Sequence, residues 1–249
     1  MGKIVSVHSY RGGTGKSNLV ANLAALLSQG GRRVGIIDTD IQSPGIHILF
    51  GLNDDVITRS LNDYLHGTCR IEDAAYDVTP PTVLGKILLI PSSIKAGEIA
   101  RILREGYDVA RLNEGISQLV DRLQLDYLLI DTHPGLNEET LLSIAISDLL
   151  LVLLRPDQQD YQGTAVTVEV ARHLEVPKML VVVNKAIARR DFVLLREQVR
   201  AAYDVPVAGI LAETEEMLDL ASNGLFCLHY PEHPLTKTMA EIAARVVAE

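Results

Sequence analysis

Apolar residues fall in two alternating rhythms along the chain. Short runs, apolar nearly throughout, cover Ile4–His8, Arg33–Asp38, Ile87–Ile90, Tyr127–Asp131, Leu149–Leu154, Met179–Asn184 and Val207–Leu211. Runs of this kind suit strands covered on both faces, as in a parallel sheet, rather than strands with one wet face. Between them the spacing changes to that of helices. Ile116, Leu119, Val120 and Leu123 recur at i, i+3, i+4 and i+7. Further on, Leu235, Met239, Ile242, Ala243 and Val246 share one helical face, Lys237, Glu241 and Arg245 face the other way, and Pro234 suits the helix start. No linker, repeat or low-complexity segment interrupts the alternation. The pattern predicts an α/β fold, a doubly wound, mostly parallel sheet flanked by helices, as a single domain over residues 1–249.

Composition narrows what such a fold could do. The 249 residues are 47% hydrophobic, enough for a sizeable core, yet no apolar run is long enough to span a bilayer. The stretch "MGKIVSVHS" runs straight into a strand pattern and does not read as a signal peptide. Cys69 and Cys227 lie far apart and form no CxxC, which argues against a disulfide scaffold or zinc ribbon and predicts a reducing cytoplasm. A net charge of -9 argues against nucleic-acid binding by global charge and leaves only local basic patches. With 4% aromatics and no Trp, base-stacking platforms are not expected.

The chemistry concentrates at three strand ends. "YRGGTGKS" follows the first strand and opens a helix. Glycines let successive N–H groups turn inward around an anion, and the helix N-terminus adds partial positive charge. Gly12, Gly13, Thr14, Gly15, Lys16, Ser17 and Asn18 therefore form the candidate nucleotide-binding loop. Lys16 would neutralise β- and γ-phosphate charge, and Ser17 would offer its hydroxyl to Mg²⁺. The strand Arg33–Asp38 ends in "DTDIQSPG", so Asp38 and Asp40 alternate at the carboxyl edge of the sheet. A carboxylate here can orient an attacking water or hold a metal-bound one. The strand Tyr127–Asp131 ends in "DTHPGL", where Asp131 is a Mg²⁺ partner and the Pro134–Gly135 turn could move when γ-phosphate leaves. His133 reads first as a polar packing residue in a turn, and as a proton-transfer group second.

"RGGTGKS", "DTDIQSPG" and "DTHPG", in this order, resemble the deviant Walker A ATPases of the MinD/ParA family, a resemblance that extends over essentially the whole chain. It implies a SIMIBI-type P-loop NTPase fold, ATP with Mg²⁺, and a homodimer with ATP sandwiched between the subunits. It implies that Lys16, Asp40 and Arg11 are the catalytic residues. Asp40 would position the attacking water, while Ser17, Asp38 and Asp131 would hold the metal and its waters. Where the family has a lysine that reaches the partner's phosphates, this chain has Arg11, which keeps the charge and adds a planar fork of donors. "VVVNK" matches the adenine-recognition segment through Asn184 and Lys185, and Ala212 stands where the family often has a proline.

Among such relatives, cluster carriers use a CxxC and iron proteins use cysteines near the second switch, and both features are absent here. The last helix has mixed charge and no aromatic residue, unlike a membrane anchor. The sequence thus favours a slow, switch-like ATPase that positions or partitions DNA or another large cargo, answering to an activating protein. Lys185, Arg189, Arg190, Arg196 and Arg200 are the candidate non-specific DNA contacts, with Arg196 and Arg200 one helical turn apart. Arg101, Arg104 and Arg111 form a second candidate cluster. The alternatives are a nucleotide-binding regulatory module with little hydrolysis, acting on a protein or membrane partner, and an ATP-dependent ligase, for which no substrate pocket is legible.

Overall fold

A computed structural model describes residues 2–249. The apolar runs are strands and the periodic runs are helices. In chain order they are β1 (Lys3–His8), α1 (Lys16–Gln29), β2 (Arg33–Asp38), α2 (Ile46–Leu49), α3 (Leu61–Leu65), β3 (Tyr76–Asp77), β4 (Lys86–Ile90), α4 (Ala96–Glu105) and α5 (Val109–Arg122). Then follow β5 (Tyr127–Asp131), α6 (Glu138–Ala145), β6 (Leu149–Leu154), α7 (Gln158–His173), β7 (Met179–Ala186), α8 (Phe192–Tyr203), β8 (Val207–Ala212), α9 (Glu215–Leu220), α10 (Phe226–His229) and α11 (Pro234–Ala248). The strands form one sheet in the order β3-β4-β2-β5-β1-β6-β7-β8, parallel except where β3 meets β4.

The alternation within each strand explains why the runs are apolar throughout. Ile36 and Leu129 pack with α1 and α11 on one face, while Ile37, Leu128 and Ile130 pack with α3 and α5 on the other. Each fully buried Leu or Ile contributes roughly 1.5–3 kcal/mol of transfer free energy, so neither face tolerates a polar residue without a partner. The expected face of α11 is buried, from Leu235 to Val246, and that of α5 is buried from Ile116 to Val120 with Leu123 partly covered. The one strand the periodicity did not reveal is β3. Two residues are too few to show a period, and the strand is held at the edge by the ladder to β4 and by an ion pair between Asp77 and Lys86.

This topology fixes where a ligand can sit. β1 lies between β5 and β6, and the chain leaves β1, β2 and β5 at the same edge of the sheet. In open parallel sheets that carboxyl edge, at the reversal of strand order, is the ligand crevice. Asp38 and Asp131 are direct neighbours across the β2–β5 ladder, and Val7 is opposite Asp131 on the β1–β5 ladder. Among the described residues no helix is long and apolar enough to cross a membrane.

Candidate functional site

The loop between β1 and α1 takes its shape from two left-handed glycines, Gly13 at φ 74° and Gly15 at φ 96°. Gly15 is also the N-cap of α1, and a Cβ there would stand 2.5 Å from Asn184 Nδ2. An alanine at Gly15 would meet both an unfavourable backbone conformation and a neighbour that must move. Ser9, the residue after β1, ties the loop together. Its hydroxyl donates to the Arg11 carbonyl at 2.7 Å and accepts from Thr14 Oγ1 at 2.8 Å and Lys16 Nζ at 3.2 Å. The sequence did not single out Ser9. The available signal was a hydroxyl between an apolar strand and a glycine loop, which is too common to stand alone.

Three carboxylates face Lys16. Asp38 is buried; its Oδ1 accepts from the Asp40 N–H at 3.0 Å and its Oδ2 from the Gly45 N–H at 3.4 Å. Asp131 is buried, the Ser17 hydroxyl hydrogen-bonds its carboxyl, and its Oδ1 has no partner. Asp40 Oδ1 accepts from the Ser43 N–H at 3.1 Å and lies 2.7 Å from His133 Nδ1. Thr39 closes the two strand ends on each other, with its N–H and its hydroxyl donating to the Asp131 carbonyl at 2.9 and 3.0 Å.

The electrostatics follow from placing these groups out of water. Burial, reinforced by the charge on Asp131, raises the Asp38 carboxyl well above the ordinary carboxylate range. Burial, with Asp40 adding to it, pushes Asp131 up to about 6 against the opposing Ser17 hydrogen bond and Lys16 charge. Burial lowers Lys16, and Asp131, Asp40 and Asp38 oppose that shift. Below the loop, His8 pairs through Nδ1 with Thr132 Oγ1 at 2.8 Å, and burial together with Lys16 and His133 lowers its pKa to about 3. His8 is therefore neutral at any ordinary pH.

A buried carboxylate oxygen without a donor, beside a hydroxyl and a second buried carboxylate, suits a hard divalent cation. Among the described residues no three His, Cys, Asp or Glu side chains form a self-contained metal centre. Mg²⁺ bound with a nucleotide needs fewer protein ligands, because waters and phosphate oxygens complete its shell. One consequence is measurable without nucleotide. The folded chain holds the Asp131 proton to about pH 6, whereas the unfolded chain releases it in the ordinary range. The folded state thus binds more protons in that window, and the stability gained there is lost as pH rises through about 6. In thermal melts with EDTA, Asp131→Asn is expected to flatten this fall in stability; an unchanged slope would remove Asp131 as its source.

Behind the loop is a cavity of about 310 Å³ whose walls include Gly15, Asn18, Asn184, Lys185, Glu213 and Met217. Asn184 Nδ2 donates to the Thr14 carbonyl at 2.7 Å and Lys185 Nζ to the Gly13 carbonyl at 2.9 Å. Both residues thus brace the loop from β7. Arg11 is turned away from the loop. Its guanidinium hydrogen-bonds Gln159 and pairs with Asp160 at 3.6 Å and Asp157 at 3.9 Å, all at the start of α7, while Tyr10 packs on Gly163.

The basic clusters do not assemble as the sequence suggested. Arg196 is half-buried and donates to the Val207 carbonyl, so it does not join Arg200 on an open face. Lys185 is spent on the loop, which leaves Arg189, Arg190 and Arg200 exposed. The second cluster also disperses: Arg101 pairs with Glu105 at 3.0 Å, and Arg111 donates to the Tyr64 carbonyl at 2.8 Å and lies over its ring. Helical spacing located these residues but could not foresee the carbonyls and rings that claim them.

A phosphate loop between β1 and α1, with acids at the ends of β2 and β5 of a parallel sheet, defines a P-loop NTPase of the MinD/ParA type. The chain belongs to the ParA family: the family model described as NUBPL iron-transfer P-loop NTPase matches residues 1–247. It is similar to an uncharacterised ATP-binding protein of Methanocaldococcus jannaschii, 27% identical over 98% of this chain and 87% of that one. It is also similar to the cytosolic Fe-S cluster assembly factor CFD1 of Chaetomium globosum, 34% identical over 62% of this chain, and to an iron-sulfur cluster carrier protein of Pyrococcus furiosus, 28% identical over 72%. It spans only 48% and 60% of those two proteins' lengths. Among solved structures, the fold matches the cell division ATPase MinD of Pyrococcus furiosus with a TM-score of 0.85, at 24% identity and over 100% of this chain and 99% of that one. It matches MinD of Pyrococcus horikoshii, complexed with Mg-ADP, with a TM-score of 0.83, at 23% identity and over 99% and 96% of the two chains. The sequence led away from cluster carriers, yet proteins so named are among the relatives.

Proposed function

We propose that this chain is a Mg²⁺-dependent ATPase that dimerises around ATP and is switched off by slow hydrolysis. The observation that carries the reading is one lysine, buried at a glycine loop, facing Asp38, Asp40 and Asp131 with one Asp131 oxygen unpartnered. In this reading the loop N–H groups and Lys16 bind the β- and γ-phosphates. Ser17, Asp131 and Asp38 hold Mg²⁺ and its waters, and bound Mg²⁺ supplies charge neutralisation across those phosphates. Asp40 orients the attacking water, and the Asn184 carbonyl oxygen accepts from the adenine amino group in the cavity behind the loop. Arg11 leaves Asp157 and Asp160 to reach phosphate of the second subunit. The assay is phosphate release from ATP; turnover that EDTA abolishes supports the reading, and turnover unaffected by EDTA contradicts it.

The cargo is the finer question. DNA would be held through Arg189, Arg190 and Arg200. Three phosphate contacts per protomer predict a salt slope near −3 per protomer in log–log form for the ATP-bound protein on duplex DNA. Salt-independent or absent binding would leave a protein surface as the target. Cluster carriage has the named relatives in its favour, but this chain's residues do not fit a thiolate-held cluster. Cys227 is buried in the core on the α1 face and Cys69 packs against the core on the opposite face of the sheet.

A further inference from the structure

His133 has no part in the function argued so far, yet it makes a side-chain bond between the segment after β2 and the segment after β5. Its Nδ1 lies 2.7 Å from Asp40 Oδ1, across 93 residues of sequence, and both side chains are mostly covered at 19% exposure. A carboxylate only accepts, so Nδ1 carries the hydrogen and donates. The Ser43 N–H donates to the same oxygen. Among the described residues no donor reaches Asp40 Oδ2. One oxygen of Asp40 is therefore held from two sides and the other is left open.

The post that carries the imidazole is itself fixed. The His133 carbonyl accepts from Thr140 Oγ1 at 3.2 Å, at the start of α6. The Gly135 N–H donates to the Ser9 carbonyl at 3.4 Å, and Pro134 lies beside Gly12, 3.8 Å from where a Cβ would stand. The turn after β5 is thus seated on the phosphate loop, and the ring reaches from there to the residue after β2. Asp40 itself sits in a loop, where a carboxylate with one local N–H bond has freedom to rotate.

We propose that His133 is a positioning residue for ATP hydrolysis: it fixes Asp40 Oδ1 so that Oδ2 faces the attacking water. This rests on the assignment of Asp40 to that water. It requires no proton transfer by the imidazole and no contact between His133 and nucleotide. Misplacing a catalytic group by about 1 Å is enough to slow a reaction roughly 100-fold.

The test combines kinetics with a spectroscopic readout that needs neither nucleotide nor turnover. His133→Ala is expected to lower kcat at least tenfold with KM for ATP unchanged. His133→Asn, whose amide places a donor near the position of Nδ1, is expected to restore most of the loss. In an Asp40→Ala background His133→Ala should have no further effect. Separately, imidazole ¹⁵N spectra of the nucleotide-free protein should show the Nδ1-protonated tautomer of His133, and Asp40→Ala should abolish that preference. Wild-type kcat in His133→Ala, a change confined to KM, or an equal loss in the Asp40→Ala background would each overturn the proposal. So would an Nε2-protonated ring in the free protein. If Asp40→Ala itself turned over normally, the assignment of Asp40 would fall, and this would be seen apart from any effect of His133.

Discussion

Lys16→Ala is expected to lose both ATP turnover and ATP-dependent dimerisation. Lys16 is 7% exposed, anchored by Ser9 and placed in the field of three carboxylates. In the proposed function its charge offsets Asp38, Asp40 and Asp131 at the edge that an anionic phosphate would have to approach. Truncating one member of a buried charge pair costs about 2–5 kcal/mol, or roughly 30- to 5,000-fold in affinity. The variant also leaves Asp38 and Asp131 with less neutralisation, so a fall in metal-free stability should accompany it. Calorimetric titration with ATP and Mg²⁺, alongside a thermal melt, separates lost binding from lost folding. A folded variant that binds ATP as the wild type does would mean that the phosphates lie elsewhere.

The second large effect is of the opposite kind. Asp40→Ala should bind ATP within a few-fold of wild type and hydrolyse it about 10²- to 10⁴-fold more slowly, the range set by removing a positioned acid–base group. Asp40 is partly covered and its side-chain bonds are to Ser43 and His133, so removing it breaks no hydrogen bond of the glycine loop or of Lys16. If hydrolysis is what separates the subunits, the dimer accumulates. A variant with normal turnover would transfer the water-orienting role to another residue.

The sheet was legible because its strands are buried on both faces, and that burial writes itself as unbroken apolar runs. β2, β5 and β6 match their runs residue for residue. The placement of the glycine loop and of the acids at Asp38 and Asp131 was legible because each directly follows or ends an apolar strand. What escaped was pairing across long separations. Arg11 meets Gln159 148 residues on, and His133 meets Asp40 across 93. Arg196 reads as an open basic position from its helical phase, but the Val207 carbonyl lies within its reach. No periodicity or local motif encodes such contacts, because they depend on how the sheet brings distant loops to one edge. The same limit applies to Arg11, whose acidic partners Asp157 and Asp160 lie at the start of α7.

Sedimentation of the Asp40→Ala protein with Mg²⁺ and either ATP or ADP decides whether ATP drives two copies of the chain together. A dimer is expected with ATP and a monomer with ADP, since the γ-phosphate is what a second subunit would grip. One mass in both nucleotides, with binding of both confirmed, would contradict an ATP-driven dimer switch.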